Sequence, residues 1–182
     1  MKHRNPLRIL AISGSLRRAS SNSALIEAAA ILAPATIEVS VFHELGEIPP
    51  FNPDLEGDIA PEPVERFRAA LLACEALVIS SPEYAHGVPG VLKNALDWVV
   101  GSGELVAKPV ALINASPRAT YAWNSLAETL TVMSARVIPG ASITIPLQGR
   151  TLDAHGIVAD TELSTLTKAA IDALAVAARE AC

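Results

Sequence analysis

The sequence predicts an α/β fold in which a doubly wound parallel sheet carries helices on both faces. Short runs rich in β-branched residues alternate with longer segments rich in alanine and leucine, which is typical of repeated βα units. Hydrophobic residues make up 51% of the chain but aromatic residues only 4%, which predicts the aliphatic core of a sheet covered on both sides. The length of 182 residues suits one well-buried domain, which we expect to span residues 1–182.

Five short apolar runs predict the strands. The first run stops at Gly14 and is followed by a loop of hydroxyl groups, and the fifth is interrupted by Pro139-Gly140. The runs between them are short and rich in β-branched or aliphatic residues. The predicted strands are Leu7–Ser13, Ile37–Phe42, Ala76–Ser80, Val110–Asn114 and Val137–Ile145.

Longer segments with apolar residues at helical spacing predict the helices. The first is rich in alanine and begins at Asn22, and Pro89 suits the first turn of the third. In that third helix Lys93 and Asp97 form an i,i+4 pair. The predicted helices are Asn22–Leu32, Pro63–Ala73, Pro89–Val100, Tyr121–Ser134 and Thr161–Ala178.

Five parallel strands favour the flavodoxin-like order 2-1-3-4-5, in which ligands bind beyond the carboxyl ends of the strands near the switch point between strands 1 and 3. Three loops therefore become the candidate site: Ser13–Ser21, Ser80–Val88 and Ala115–Thr120. A fourth, longer loop over His43–Glu62 is rich in proline and acidic residues, and loops of that length tend to be functional.

The first of these loops has the composition of an anion site. Hydroxyl side chains and two arginines lie between a buried strand and the start of a helix, where backbone N–H groups and the helix dipole attract phosphate. The spacing matches neither the dinucleotide fingerprint nor the P-loop, so a mononucleotide such as FMN fits better. The alternative is a serine-rich turn with helix caps and solvated arginines.

The second loop is stiffened by Pro82 and Pro89, and it suits the presentation of backbone N–H groups to a planar heterocycle. Tyr84 is a candidate for stacking on such a ring, or for simple packing. No second catalytic group lies at a readable spacing from His86, which favours a structural or interfacial role for this histidine.

Composition excludes several classes of function. Fourteen basic against 19 acidic residues give a net charge of −5, which offers little support for a nucleic-acid partner. No apolar run reaches the roughly 18 residues of a membrane span, and the apolar segment near the N-terminus, of about six residues, is too short for a signal peptide. We therefore expect a cytoplasmic protein without membrane contacts. The histidines and cysteines lack metal-ligand spacing, so no metal is expected; Cys74 is predicted to be buried and Cys182 exposed.

Two motifs carry a resemblance to a known family. Gly-Ser-Leu-Arg-x-x-Ser-x-Asn follows the first strand, and Pro-Glu-Tyr-x-x-x-x-Pro-Gly-x-Leu-Lys-Asn-x-Leu-Asp-Trp follows the third. Both resemble the NADPH-dependent FMN reductases, small flavodoxin-like enzymes that include quinone, azo-dye and chromate reductases. The segment Leu45–Asp54 resembles the family's loop after strand two, and the resemblance weakens after about Pro117.

The resemblance implies a set of cofactor-binding residues. The FMN phosphate would be held by Ser15, Arg17, Ser20 and Asn22. The isoalloxazine would be lined by Pro82, Glu83 and Tyr84, largely through backbone atoms, and by Ser116 on its other side. Two departures stand out: Ala85 replaces an asparagine common in relatives, and Pro117 removes a backbone donor from the third loop.

The resemblance also implies the activity. A hydride from NADPH or NADH would reach bound FMN and the electrons would pass to a small-molecule acceptor, so no catalytic side chain is expected. Arg118 is a candidate for attracting the anionic nicotinamide cofactor. The alternatives are a flavodoxin-type electron carrier and an α/β interaction protein that has lost its flavin. A homodimer or homotetramer is expected, with Trp98, Val99 and the segment Glu83–Gly87 at the interface.

Overall fold

The computed structural model describes residues 5–56, 60–147 and 149–181, and Cys182 lies outside these ranges. Its strands are β1 Leu7–Ser13, β2 Ile37–Phe42, β3 Ala76–Ser80, β4 Pro109–Asn114, β5 Arg136–Val137 and β6 Ile143–Thr144. They form a parallel sheet with the order β2-β1-β3-β4-β5, which confirms the predicted flavodoxin-like order. The further strand β6 also pairs with β4.

Helices cover both faces of the sheet because the central strands bury side chains on both sides. In β1, Ile9 and Ala11 belong to one apolar cluster, whereas Leu10 and Ile12 belong to the other. The helices are α1 Ser21–Leu32, α2 Glu62–Ala73, α3 Gly90–Asp97, α4 Thr120–Val132, α5 Ala154–Ala159 and α6 Thr161–Ala181. The first cluster packs under α1, α5 and α6, and the second under α2, α3 and α4.

The predicted fifth strand, Val137–Ile145, is not one continuous strand. It consists of β5 and β6, separated by a short 3-10 helix over Pro139–Ala141. Proline has no N–H to donate to a ladder, so the chain turns at this point. The Ser142 hydroxyl accepts a hydrogen bond from the Leu112 N–H at 3.1 Å and so satisfies the edge of β4 beside the turn.

The helix α5 was missed by the sequence prediction. It is short, and it begins because the Asp153 carboxylate accepts the Gly156 N–H at 2.8 Å as an N-cap. It packs against α1 and so places the preceding segment beside the first predicted loop. The predicted ends of α3 and α6 also differ: α3 ends at Asp97, and α6 continues to Ala181.

Trp98 and Val99 were expected at a subunit interface, and this placement is wrong. Both are buried within the protomer, with exposed fractions of 0% and 1%. The Trp98 indole donates to the Pro49 carbonyl at 2.8 Å, and its ring packs edge-on against Phe51. Asn94 binds the same segment by accepting the Phe51 N–H at 2.7 Å. The described part of the long loop after β2 therefore packs on α3.

Among the described residues, no helix combines the length and apolarity that crossing a bilayer requires. Within the same ranges, no cluster of three or more histidine, cysteine or acidic side chains is arranged to hold a metal ion.

Cys74 is buried as predicted, and burial raises the pKa of its thiol. The Lys93–Asp97 pair is present on α3.

Candidate functional site

A cleft of about 930 Å³ opens at the carboxyl edge of the sheet. Residues of all three predicted loops line it, after β1, β3 and β4 respectively. This is the edge at which doubly wound sheets bind ligands. The volume lies within the roughly 300–1,000 Å³ of small-molecule and cofactor sites.

The first loop is shaped by its own hydroxyl groups. The Ser13 Oγ lies 3.0 Å from the Ser23 Oγ and accepts the Ser15 N–H at 3.2 Å. The Ser15 Oγ in turn accepts the Arg17 N–H at 3.3 Å, and Ser20 caps α1 by accepting the Ser23 N–H at 3.4 Å. The hydroxyls of Ser15 and Ser20 therefore hold the loop and the helix start in place, which sets the positions of the loop's remaining N–H groups.

The first and second loops approach each other closely at Gly14. The Gly14 N–H donates to the Ser80 carbonyl at 2.9 Å, and a Cβ on Gly14 would lie 2.7 Å from the Ser81 Oγ. The buried Ser80 hydroxyl also donates to the Asn22 side chain at 2.9 Å. A side chain at position 14 would therefore force Ser81 to shift, and Asn22 ties the start of α1 to the end of β3.

Glu83 links the second loop to the start of α4. Its Oε2 accepts the Ala122 N–H at 2.9 Å, in the first turn of a helix whose own N-cap residue, Ala119, has no side-chain acceptor. Its Oε1 lies 3.1 Å from the His86 Nδ1, and the His86 ring packs against Tyr121. The Ala122 N–H holds the pKa of the Glu83 carboxyl below its usual value, with a further contribution from His86. Sequence reasoning assigned Glu83 a backbone role and did not detect this cap.

A tight turn carries Tyr84 to the rim. Tyr84 and Gly87 exchange two backbone hydrogen bonds, at 3.1 and 3.0 Å. Between them, Ala85 and His86 both have positive φ, of 50° and 59°. This is the left-handed region in which asparagine and glycine are favoured and alanine is strained. The backbone therefore gives a reason for an asparagine at position 85 that is independent of any contact with a flavin.

The third loop is folded around Ser116. The Ser116 N–H donates to the Asn114 side chain at 3.0 Å, and the Ser116 Oγ accepts the Arg118 N–H at 3.3 Å. Pro117 occupies the turn between them, where no N–H is used. Ser116 and Arg118 both line the cleft.

Six of the eight sequence-predicted binding residues line the cleft, namely Arg17, Ser20, Asn22, Pro82, Glu83 and Ser116. The other two do not. Ser15, in the first loop, lines a separate cavity of about 70 Å³ between α1 and β2 instead. Tyr84 is 56% exposed and lies outside the lining of the cleft. Ser15 is thus placed to support the loop, and Tyr84 is not placed to stack inside it.

A fourth wall of the cleft was missed by the sequence prediction. It is formed by the segment that follows β6, including Leu147, Arg150 and Asp153. The Leu147 N–H donates to the Ala115 carbonyl at 3.0 Å, so this wall is attached to the third loop. The N-capping pattern that begins at Asp153 was the available sequence signal.

The cleft is more positive than the rest of this acidic protein. Four arginines line its described part, namely Arg17, Arg18, Arg118 and Arg150. Three carboxylates do so, namely Glu27, Glu83 and Asp153. Guanidinium groups beside the N-terminus of α1 form a donor set for a phosphate. The donors and the volume together fit FMN.

Comparisons with known proteins agree with this geometry. The NADPH-dependent FMN reductase family matches residues 7–149. An NAD(P)H-dependent FMN reductase of Pseudomonas aeruginosa is 33% identical over 176 residues, which cover 92% of this chain and 93% of that protein. A quinone reductase of Pseudomonas putida is 35% identical over 114 residues, 61% of each chain.

A solved structure gives the same result for the fold. The flavoenzyme NAD(P)H:(acceptor) oxidoreductase FerB from Paracoccus denitrificans has a TM-score of 0.77 and 27% identity to this chain. The match covers 96% of this chain and 98% of that one. The family match includes all three loops predicted from the sheet order, at the edge where the cleft opens. The chain therefore belongs to the NADPH-dependent FMN reductase family.

Proposed function

We propose that residues 1–182 act as one flavodoxin-like FMN-binding domain that oxidises NAD(P)H and reduces a small acceptor such as a quinone, an azo compound, a free flavin or a metal oxyanion. The observation that carries this proposal is the 930 Å³ cleft, which the loops after β1, β3 and β4 line together. Family membership supports an oxidoreductase over a flavodoxin-type carrier.

The phosphate end of the site is assigned to the first loop. Arg17, Ser20 and Asn22 line the cleft at the start of α1, where the helix dipole favours an anion. Ser15 stabilises the loop itself, because its hydroxyl accepts a hydrogen bond from the Arg17 N–H. The phosphate would thus meet a loop that is already folded, which lowers the entropy cost of binding.

The ring end is assigned to the second and third loops. Pro82, Glu83 and Ser116 all line the cleft. The Glu83 side chain is committed to Ala122 and His86, so its backbone is the part left to contact a ligand. Tyr84 is assigned to the rim.

Bound FMN would supply the hydride chemistry, accepting two electrons from NAD(P)H and passing them to the acceptor. The residues of the chain itself bind and position the cofactor and the substrates. Arg118, exposed on the third loop, is suited to attract the phosphates of NAD(P)H. Glu83 keeps the second loop against α4, so that the wall of the cleft does not shift between the two substrates.

The proposal is tested by loading the protein with FMN and adding NADPH or NADH without oxygen. We expect the flavin band near 450 nm to bleach, and to return when a quinone is added. A panel of quinone, azo dye, free FMN and chromate then ranks the acceptors. FMN binding without bleaching by either nicotinamide would support the electron carrier instead, and no flavin binding would support the non-catalytic protein.

We further propose a homo-oligomer, either a dimer or a tetramer, that acts in the cytoplasm. Two aromatic side chains, Tyr84 and Tyr121, are exposed on the second loop and at the start of α4, at 56 and 60%. These side chains, and not Trp98 or Val99, are the candidates for the interface. A reaction that consumes NAD(P)H supports a cytoplasmic location. An active, flavin-loaded monomer in light scattering at micromolar concentration would contradict the oligomer.

A further inference from the structure

The fourth wall of the cleft carries an arginine that neither motif of the family resemblance contains. Arg150 lies one residue beyond the region that the family matches, and its side chain is 42% exposed within the lining of the cleft. We propose that Arg150 binds a phosphate monoester in this cleft, completing the anion site from the C-terminal part of the chain. This inference rests on the proposed function, because the phosphate is supplied either by FMN or by NADPH.

Arg150 is held in place by a fixed carboxylate. One guanidinium nitrogen, Nη2, donates to the Asp160 Oδ2. The other oxygen, Oδ1, accepts the N–H groups of Leu163 at 3.0 Å and Glu162 at 3.1 Å, at the start of α6. The Leu163 N–H and then the Arg150 guanidinium hold the pKa of Asp160 below its usual value, so the anchor stays ionised. The Arg150 guanidinium is therefore anchored at the start of α6 through one of its three nitrogens, Nη2.

The rest of the fork is available to a ligand. Within the described part of the chain, the Arg150 Nε and Nη1 make no hydrogen bond. An arginine presents planar, paired donors that match two oxygens of a phosphate. A guanidinium anchored at one nitrogen loses less side-chain freedom when it binds, which strengthens the contact.

The position of the segment favours the phosphate as the ligand. Arg150 precedes α5, which packs against α1, the helix whose N-terminus and Ser20 cap border the cleft. Arg17 and Arg18 lie on the loop at that same helix start. Arg150 therefore lines the same cleft as the start of the helix that favours an anion.

The experiment compares ligands that differ by one phosphate. Fluorescence titration gives the dissociation constants of FMN and of riboflavin, which lacks the phosphate, for the wild-type protein and for Arg150→Gln. Steady-state kinetics gives KM for NADPH and for NADH, which lacks the 2′-phosphate. Arg179→Gln, at an exposed arginine in the last turn of α6, is the matched control. Arg150→Lys keeps the charge and removes the fork, and thermal unfolding checks that each variant is folded.

If FMN supplies the phosphate, Arg150→Gln raises the FMN dissociation constant about 10- to 100-fold and leaves that of riboflavin unchanged. If NADPH supplies it, the KM for NADPH rises by a similar factor while the KM for NADH and FMN binding stay constant. In either case, Arg150→Lys is expected to give a value between those of the wild type and Arg150→Gln for the constant that changes. If Arg150→Gln does not fold, the comparison of Arg150→Lys with the wild type is the test.

Equal weakening of FMN and riboflavin would assign Arg150 a purely structural role and overturn the inference. The inference would also be overturned if Arg150→Gln left both flavin dissociation constants and both KM values unchanged. An equally large change of these constants in Arg179→Gln would overturn it too. These results would leave the proposed function intact. A wild-type protein that binds neither flavin would overturn both.

Discussion

Replacing Gly14 with alanine tests whether the first two loops must touch for the cleft to form. The added Cβ would lie 2.7 Å from the Ser81 Oγ, 3.1 Å from the Ser81 Cβ and 3.1 Å from the Leu92 Cδ2. Leu92 is completely buried on α3. The Ser81 hydroxyl donates to the Pro82 carbonyl at 3.1 Å, so moving it also disturbs the predicted ring wall.

Overpacking of this kind costs about 1–3 kcal/mol of the free energy of unfolding. For a chain of this size, each kcal/mol shifts Tm by roughly 2–4 °C, so Gly14→Ala lowers Tm by about 2–12 °C. We expect FMN to bind more weakly as well, because relief of the clash separates the two loops that border the cofactor. Thermal unfolding of the flavin-free protein and FMN titration measure the two effects separately.

Gly90→Ala is the matched control, since a Cβ there meets nothing within 4 Å and the residue is also beside the second loop. Its Tm is expected to stay constant or to rise slightly. Adding Ser81→Gly to Gly14→Ala removes the closest contact and is expected to restore part of the loss. Equal Tm values for the two alanine variants would refute the argument from close approach.

Three further predictions concern the loops around the cleft. Arg17→Ala removes a charge-assisted contact and weakens FMN binding by about 1.5–3 kcal/mol, roughly 10- to 150-fold, in a titration of the apoprotein; an unchanged dissociation constant would remove Arg17 from the site. Ala85→Gly relieves a positive φ of 50° and raises the free energy of unfolding by about 1 kcal/mol in urea; a loss of stability would contradict the strained turn. Glu83 has a lowered pKa, so its stabilising contribution is complete above the ordinary value of 4.5 and is lost as the pH falls through the lowered one. The stability difference between wild type and Glu83→Gln is therefore expected to shrink in acid, and a constant difference across that range would refute the ion-dependent cap.

The sequence was sufficient to predict the central sheet and the three loops. Alternating apolar runs determined the strands β1 to β4, and the order of a five-stranded doubly wound sheet placed the loops after β1, β3 and β4 at one edge. The three loops do line one cleft. These features depend on local pattern and on general rules of connection, both of which are visible in one sequence.

The residues whose position or contacts the sequence did not predict depend on long-range contacts that local pattern does not encode. Trp98 is buried because the segment around Pro49, which lies 49 residues before Trp98 in the chain, packs over α3. Glu83 caps a helix that begins 37 residues later, and no spacing rule connects it with Ala122. The same holds for Arg150, which reaches the cleft because α5 packs on α1.

We expect one cleft to serve NAD(P)H and the acceptor in turn, through bound FMN. Initial rates measured while NADPH and a quinone are both varied test this claim most directly. If the two substrates share the cleft, oxidised nicotinamide must leave before the quinone binds, and double-reciprocal plots form parallel lines. Intersecting lines would contradict the shared cleft, and the absence of any NADPH- or NADH-dependent turnover would contradict the assignment as a reductase.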